Sequence, residues 1–266
     1  MGDLMIGLWI AEGARAQGEE IGFLKCGRSD LVKAFGHMLV DGPGTENMRL
    51  GTGAKPYDDE LRTAHQDQSP RTIRWQRSLS WNFEPRRPKI NLAPDLLEWA
   101  RNELKSGSAV IIAPKAHEGS RTAPLNKWLK AAWDLNRHAI RTVAIDANKS
   151  AVDAFPFFWY GLSWLHVAAL IHESAVVAGN DSGIAHLSAA MGIPTVVMMG
   201  ACRPEIVFGH CMENVTVLTG PAPCAYCHFS AARGFQAACD HGCDALCLVP
   251  SDQVTEAIIS RMRVAV

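Results

Sequence analysis

The chain lacks long uninterrupted apolar runs. Its most hydrophobic stretches are broken by His, Ser, Glu or Gly, and none approaches the ~20 residues that span a bilayer. It also lacks an excess of either charge: 26 Lys and Arg face 27 Asp and Glu, a formal net charge of -1, so whole-molecule attraction to nucleic acid is excluded and no nucleic-acid partner is expected. The opening "MGDLMIGLWIAEGARAQG" has no basic n-region, with Asp3 in its place, so no signal peptide is read there and the expected compartment is the cytoplasm. Internal repeats and low-complexity tracts are missing too. What remains is 266 residues at 48% hydrophobic content, enough for one large α/β domain or two small ones.

The C-terminal half alternates strand and helix patterns. "SAVIIAP" is a compact apolar run of buried-strand type, followed by the loop "KAHEGSRTAP" and a helix with Trp128, Ala132 and Leu135 at helical spacing. "AIRTVAID" reads as the next strand. Ser163 then caps a helix in which Trp164, Val167, Ala168 and Ile171 follow an i, i+3, i+4, i+7 pattern. "SAVVAG" is a strand, "IAHLSAAMG" a helix closed by Gly192, and "IPTVVMMG" a further strand. Strands separated by helices of this length imply right-handed crossovers and a parallel sheet.

Before residue 90 the pattern is thinner: a helix through Leu4, Leu8 and Ala11, a strand "EEIGFL", a helix "SDLVKAFGHML", then a stretch rich in Gly, Pro, Arg and Asp. "APDLLEWARNELKSG" is a helix with Pro94 near its start, and the domain junction is placed there, giving domains 1–104 and 105–266.

The chemistry concentrates in "AGNDSGIAHLSAAMGIPTVVMMG", residues 178–200. Asn, Asp, Ser and Gly are ordinary helix-entry residues, so a capped helix with a satisfied histidine accounts for the turn structurally. A helix N-terminus after a parallel strand is also an anion site, in which the N–H groups of Ser182, Gly183 and Ile184 cradle a phosphate and His186 adds a donor.

This segment resembles the signature of glycosyltransferase family 9, the ADP-heptose:lipopolysaccharide heptosyltransferases and their relatives. Asp181, Ser182, Gly183, His186, Gly192, Pro194 and Gly200 fall in register with it. "GLSWLHVAALIHESAVVAG" is similar to the helix and strand preceding that signature. "SRTAPLNKW" is similar to the family's basic residue set three before a proline, with Ala123 where the family has tryptophan, and "MGDLM" to its first Gly-Asp turn.

The resemblance implies an α/β fold of two Rossmann-like domains facing a cleft (GT-B), here with a reduced N-terminal domain lacking its first strand. It implies inverting transfer of a sugar, heptose-like or other, from a nucleotide-sugar donor without a catalytic metal. The acceptor, a glycan, a lipid-linked saccharide or a protein, is not specified, and the reading admits a homo-oligomer. On the resemblance Asp3 is the general base, Arg121 meets the departing diphosphate, Ser182, Gly183 and His186 hold the same phosphates, Asp181 orients the turn, and Lys115 is a second cation. Two other readings keep the same nucleotide site: a nucleotide-sugar epimerase or hydrolase, and a non-catalytic nucleotide-sugar-binding subunit for which Arg71, Arg74 and Arg77 beside Trp75 and Trp81 form a partner surface.

Five of the eight cysteines crowd into "CAYCHFSAARGFQAACDHGCDALC": Cys224, Cys227, Cys239, Cys243 and Cys247. Four thiolates around one structural zinc or iron ion would staple a loop that has little apolar content of its own. His228 and His241 are spare ligands, and the alternative is a set of free buried thiols.

Overall fold

A computed structural model describes residues 2–19, 21, 23–24, 28–37, 39–40, 69–78, 80–105, 109–117, 119–227 and 242–264. Its centre is a six-stranded, wholly parallel sheet built from β3 (Val110–Ala113), β4 (Thr142–Asp146), β5 (Phe158–Tyr160), β6 (Val176–Asn180), β7 (Thr195–Met198) and β8 (Val215–Leu218), in the order β5-β4-β3-β6-β7-β8. The strands β3, β6 and β7 are buried at every residue, as the unbroken apolar runs require when helices cover both faces.

Alternate side chains enter two cores. Ile111, Val143, Ile145, Val177 and Val197 face one, and Val110, Ile112, Ala144, Val176, Ala178, Val196 and Met198 face the other. Each such valine, isoleucine or methionine contributes about 1.5–3 kcal/mol by leaving water, which fixes strand register because a one-residue slip would exchange the two faces.

The helices follow the expected periodicity. On one face α5 (Leu125–Arg137) packs against α10 (Ser251–Val264); on the other α4 (Pro94–Leu104) packs against α6 (Trp164–His172), and α6 against α7 (Gly183–Met191). Ser163 caps α6 by accepting from the His166 N–H. Gly192, at φ 80, ends α7 in the left-handed conformation that only glycine adopts without strain.

Ahead of the sheet stand α1 (Gly2–Ala16) and a small parallel pair, β1 (Phe23–Leu24) with β2 (Leu39–Val40), joined through α2 (Ser29–Ala34). The helix expected over "SDLVKAFGHML" is cut short at α2 because Gly36, at φ 73, turns the chain out of it. Helix α1 finds its apolar partner in another helix: it packs against α7, and Leu4, Met5, Leu8, Trp9 and Ala11 share a core cluster with Ala185, Leu187 and Ala189. Its other side meets α3 (Arg71–Ser78), where Ile6 and Ile10 close on Trp75.

An irregular segment, 81–93, straps α1 down. The Arg86 N–H donates to the Trp9 carbonyl at 3.1 Å, and Gly13 lies so close under the Glu84 carbonyl that any Cβ there would overlap it. The two short helices α8 (Pro204–Phe208) and α9 (Asp244–Cys247) follow β7 and precede α10. Among the described residues no helix is long and apolar enough to cross a membrane.

Candidate functional site

The strand order reverses between β3 and β6, and in an open parallel sheet ligands bind beyond the carboxyl ends of the strands at such a point. Here the two strands run very close: a Cβ on Gly179 would sit 2.7 Å from the Ala113 carbonyl oxygen. Asn180, fully buried, joins the loops that leave them. Its Nδ2 donates to the Pro114 carbonyl at 2.7 Å, and its Oδ1 accepts from the Ala123 N–H at 2.9 Å. At the position where the related signature has tryptophan, Ala123 therefore packs tightly enough for its backbone to reach Asn180. Within the same loop the Ala116 N–H donates to Thr122 Oγ1 at 3.1 Å, so the short helical turn Gly119–Arg121 is held at both ends.

That bracing delivers Arg121 to Asp181, with Nη1 to Oδ2 at 3.6 Å. From the first turn of α7, His186 Nε2 approaches the other carboxylate oxygen, Oδ1, at 3.3 Å. Burial alone would push the Asp181 carboxyl up; the hydrogen bond and charge of His186, with the charge and hydrogen bond of Arg121, outweigh it and hold it at about 2. An ionised carboxylate only accepts, so in this contact the His186 Nε2–H donates to Asp181 Oδ1.

Ser182 occupies the N-cap position of α7, yet its side chain makes no capping bond. Its Oγ is buried with no hydrogen-bond partner among the described residues. The first intrahelical bond is His186 N–H to the Ser182 carbonyl at 3.1 Å, which leaves the N–H groups of Gly183, Ile184 and Ala185 without helical acceptors. A set of backbone donors, an unspent hydroxyl and the Arg121 guanidinium, 26% exposed, thus lies beside the switch point with a single buried carboxylate ordering Arg121 and His186. Chemically this arrangement takes an anion with several oxygens, such as a diphosphate.

Behind His186 the imidazole stacks on Phe208, centroids 4.2 Å apart and planes 10° from parallel. His210 lies beyond it, edge-on to Trp9 of α1 at 5.1 Å. Burial foremost, then the nearby charges of His186 and Arg71, push His210 down to about 3. It is neutral when folded and protonates in the unfolded chain below pH 6.5, so its contribution is fully present above pH 6.5 and is lost as pH falls toward 3. Acidification from pH 6.5 to 4 is expected to cost about 3 kcal/mol through this group. Urea unfolding across that range should therefore be flatter in His210→Phe; an equally steep acid limb in the variant would remove His210 as its source.

Of the other expected site residues, Lys115 is exposed in the loop just past β3. Asp3 lies in the first turn of α1, and its side chain is outside the described residues. Cys239, His228 and His241 are also outside them. Cys243 is buried with its Sγ packed against Gly200, Cys224 and Cys227 are half-buried, and Cys247 is exposed. Among the described residues no three His, Cys, Asp or Glu side chains gather as a metal site. The CxxC segment is anchored by Tyr226, whose N–H donates to the Gly200 carbonyl at 2.7 Å and whose hydroxyl donates to Thr219 Oγ1 at 3.1 Å. Sequence reasoning did not find the bridging role of Asn180, or Phe208 and His210. Asn180 sits in the quoted motif and was legible as a polar residue ending a buried strand; the other two carry no spacing signal.

No curated protein sequence matches the chain. Among solved structures, the chain is similar to E. coli ADP-heptose lps heptosyltransferase II at 13% identity and a TM-score of 0.71, covering 98% of this chain and 96% of that one. It is similar to a glycosyl transferase family 9 protein from Veillonella parvula at 12% identity and a TM-score of 0.68, covering 98% and 94%. The iron-containing dodecameric glycosyltransferase TibC from enterotoxigenic E. coli matches at 14% identity and a TM-score of 0.72, covering 100% of this chain and 74% of TibC. At these identities the likeness is one of fold. The segment that carries the site, residues 162–231, matches the model of glycosyltransferase family 9 (heptosyltransferase), so the resemblance rests on sequence signature and fold together.

Proposed function

We propose that the chain is an inverting glycosyltransferase that moves a sugar from a nucleoside-diphosphate donor to an acceptor hydroxyl in the cytoplasm. The observation that carries the reading is the buried Asp181 carboxylate holding Arg121 at 3.6 Å and His186 at 3.3 Å beside the open N-terminus of α7. In this reading the N–H groups of Ser182, Gly183 and Ile184, together with Ser182 Oγ, bind the two phosphates. His186 adds a further donor, and Arg121 stabilises the charge that grows on the leaving diphosphate. Asp3 removes the acceptor proton, and Lys115 adds a cation at the mouth of the site. Domains 1–104 and 105–266 supply the acceptor and donor sides.

The metal expected from the cysteine spacing has only a structural part in this proposal. It would staple residues 224–247 through thiolates and take no part in the transfer. That TibC is described as iron-containing and dodecameric supports asking for both a metal and an oligomer here.

Calorimetry against a panel of nucleoside diphosphates and their sugar esters tests the binding reading, and transfer without release of free sugar separates a transferase from a hydrolase. His186→Ala is expected to weaken nucleoside diphosphate binding by ~1–3 kcal/mol, the range for losing a partner of a charged acceptor. Equal affinity in variant and parent would take His186 out of the site.

A further inference from the structure

Two residues outside every recognised motif carry an inference about how the site is kept in order. We propose that Phe208 and His210 are positioning residues for the anion site: they hold the His186 imidazole so that Nε2 stays on Asp181. The proposal rests on the nucleotide reading for its consequence, though not for its geometry.

His186 can rotate about its ring bond, and a single contact with Asp181 at 3.3 Å is too long and too lone to stop it. Phe208 supplies the missing constraint. It is fully buried, and its ring lies within 10° of parallel to the imidazole at 4.2 Å, so turning the imidazole would drive its edge into the phenyl face. His210, two residues further on, anchors the turn that carries Phe208. Trp9 meets it edge-on at 5.1 Å, which ties the arrangement to α1.

Between the two stands Gly209. A Cβ there would overlap the Glu205 carbonyl and sit 2.8 Å from Pro70 Cγ, so glycine is what lets the chain close down between Phe208 and His210. The Cys211 N–H donates to the Phe208 carbonyl at 2.7 Å and fixes that turn. The position of His210 is costly to the fold, since its Nδ1 is buried with no hydrogen-bond partner among the described residues. Such local costs gather at functional sites. Arg71 and His186 stand near His210, and Arg121 and Asp181 meet beside His186.

The test reads the ring itself in the ligand-free protein. Nitrogen-15 NMR of the His186 imidazole should give the pattern of a single tautomer protonated at Nε2. Phe208→Leu, which keeps volume but removes the flat ring, is expected to convert that pattern to a mixture and to lower ADP affinity about tenfold. Phe208→Met serves if the leucine variant does not fold. His210→Phe should keep the parental pattern, and His210→Ala should lose it. An unchanged His186 pattern in both Phe208→Leu and His210→Ala would overturn the proposal, as would a changed pattern with unaltered ADP affinity. A parent that binds no nucleoside diphosphate would fail the functional reading instead, and the ligand-free spectra would still decide whether Phe208 and His210 position the ring.

Discussion

Arg121→Ala is expected to slow sugar transfer by about 10²–10³-fold while changing donor affinity far less, because the charge it meets develops as the sugar–phosphate bond breaks. The geometry favours this split. Its Nη1 lies 3.6 Å from Asp181 Oδ2, which places the guanidinium beside the open N-terminus of α7, where charge on a leaving phosphate would develop. Asp181 keeps it near, and the loop from Pro114 to Ala123, pinned by Asn180, sets how far it can move. Arg121→Lys should recover part of the rate, since a point charge replaces a two-pronged donor. Steady-state kinetics give the answer: a rise in KM with kcat unchanged would make Arg121 a ground-state binding residue and end its assignment to the leaving group.

The same loop shows what sequence alone could carry. Strands β3, β4, β6 and β7 and helices α5, α6 and α7 were legible because each is a compact apolar run or carries a helical period, and the parallel order follows from crossovers that must return on one hand. The turn after β6 was legible because it is contiguous in sequence. Ser182 was less so. By residue type it reads as a helix cap, and only the structure shows its hydroxyl making no cap bond and staying unspent.

Other features depend on contacts between distant segments. Strand β5 consists of Phe158, Trp159 and Tyr160, too short for any period to register. Phe208 ends a five-residue helix and is tied to His186 by ring stacking across 22 positions. For α1 the helix itself was plain from Leu4, Leu8 and Ala11, but its docking on α7 was not, because an amphipathic pattern specifies that a face is buried without naming what buries it.

That docking bears on the second large effect, which is expected for Asp3→Asn: loss of transfer by roughly 10³-fold, within the range for removing a positioned general base, with nucleotide affinity unchanged. An inverting reaction needs a base on the acceptor side, opposite the departing phosphate, and Asp3 is the carboxylate that the family resemblance assigns to it. Helix α1, which carries Asp3 in its first turn, is not a loose terminus. Leu4, Met5, Leu8 and Trp9 are buried, the helix lies against α7, the strap at Glu84 and Arg86 crosses it, and Trp9 meets His210 behind the anion site. A base on its first turn is therefore carried by the same packed unit as the phosphate donors, which is the support a catalytic group requires. The competing role for an acid at this position is to favour the positive end of the helix dipole, worth about 0.3–1 kcal/mol of stability and nothing in rate. The two roles separate cleanly. If Asp3 only serves the helix, Asp3→Asn lowers the melting temperature by a few degrees or less and turns over at close to the parental rate. If Asp3 is the base, the variant melts almost as the parent does, binds ADP equally well, and transfers sugar roughly 10³-fold more slowly.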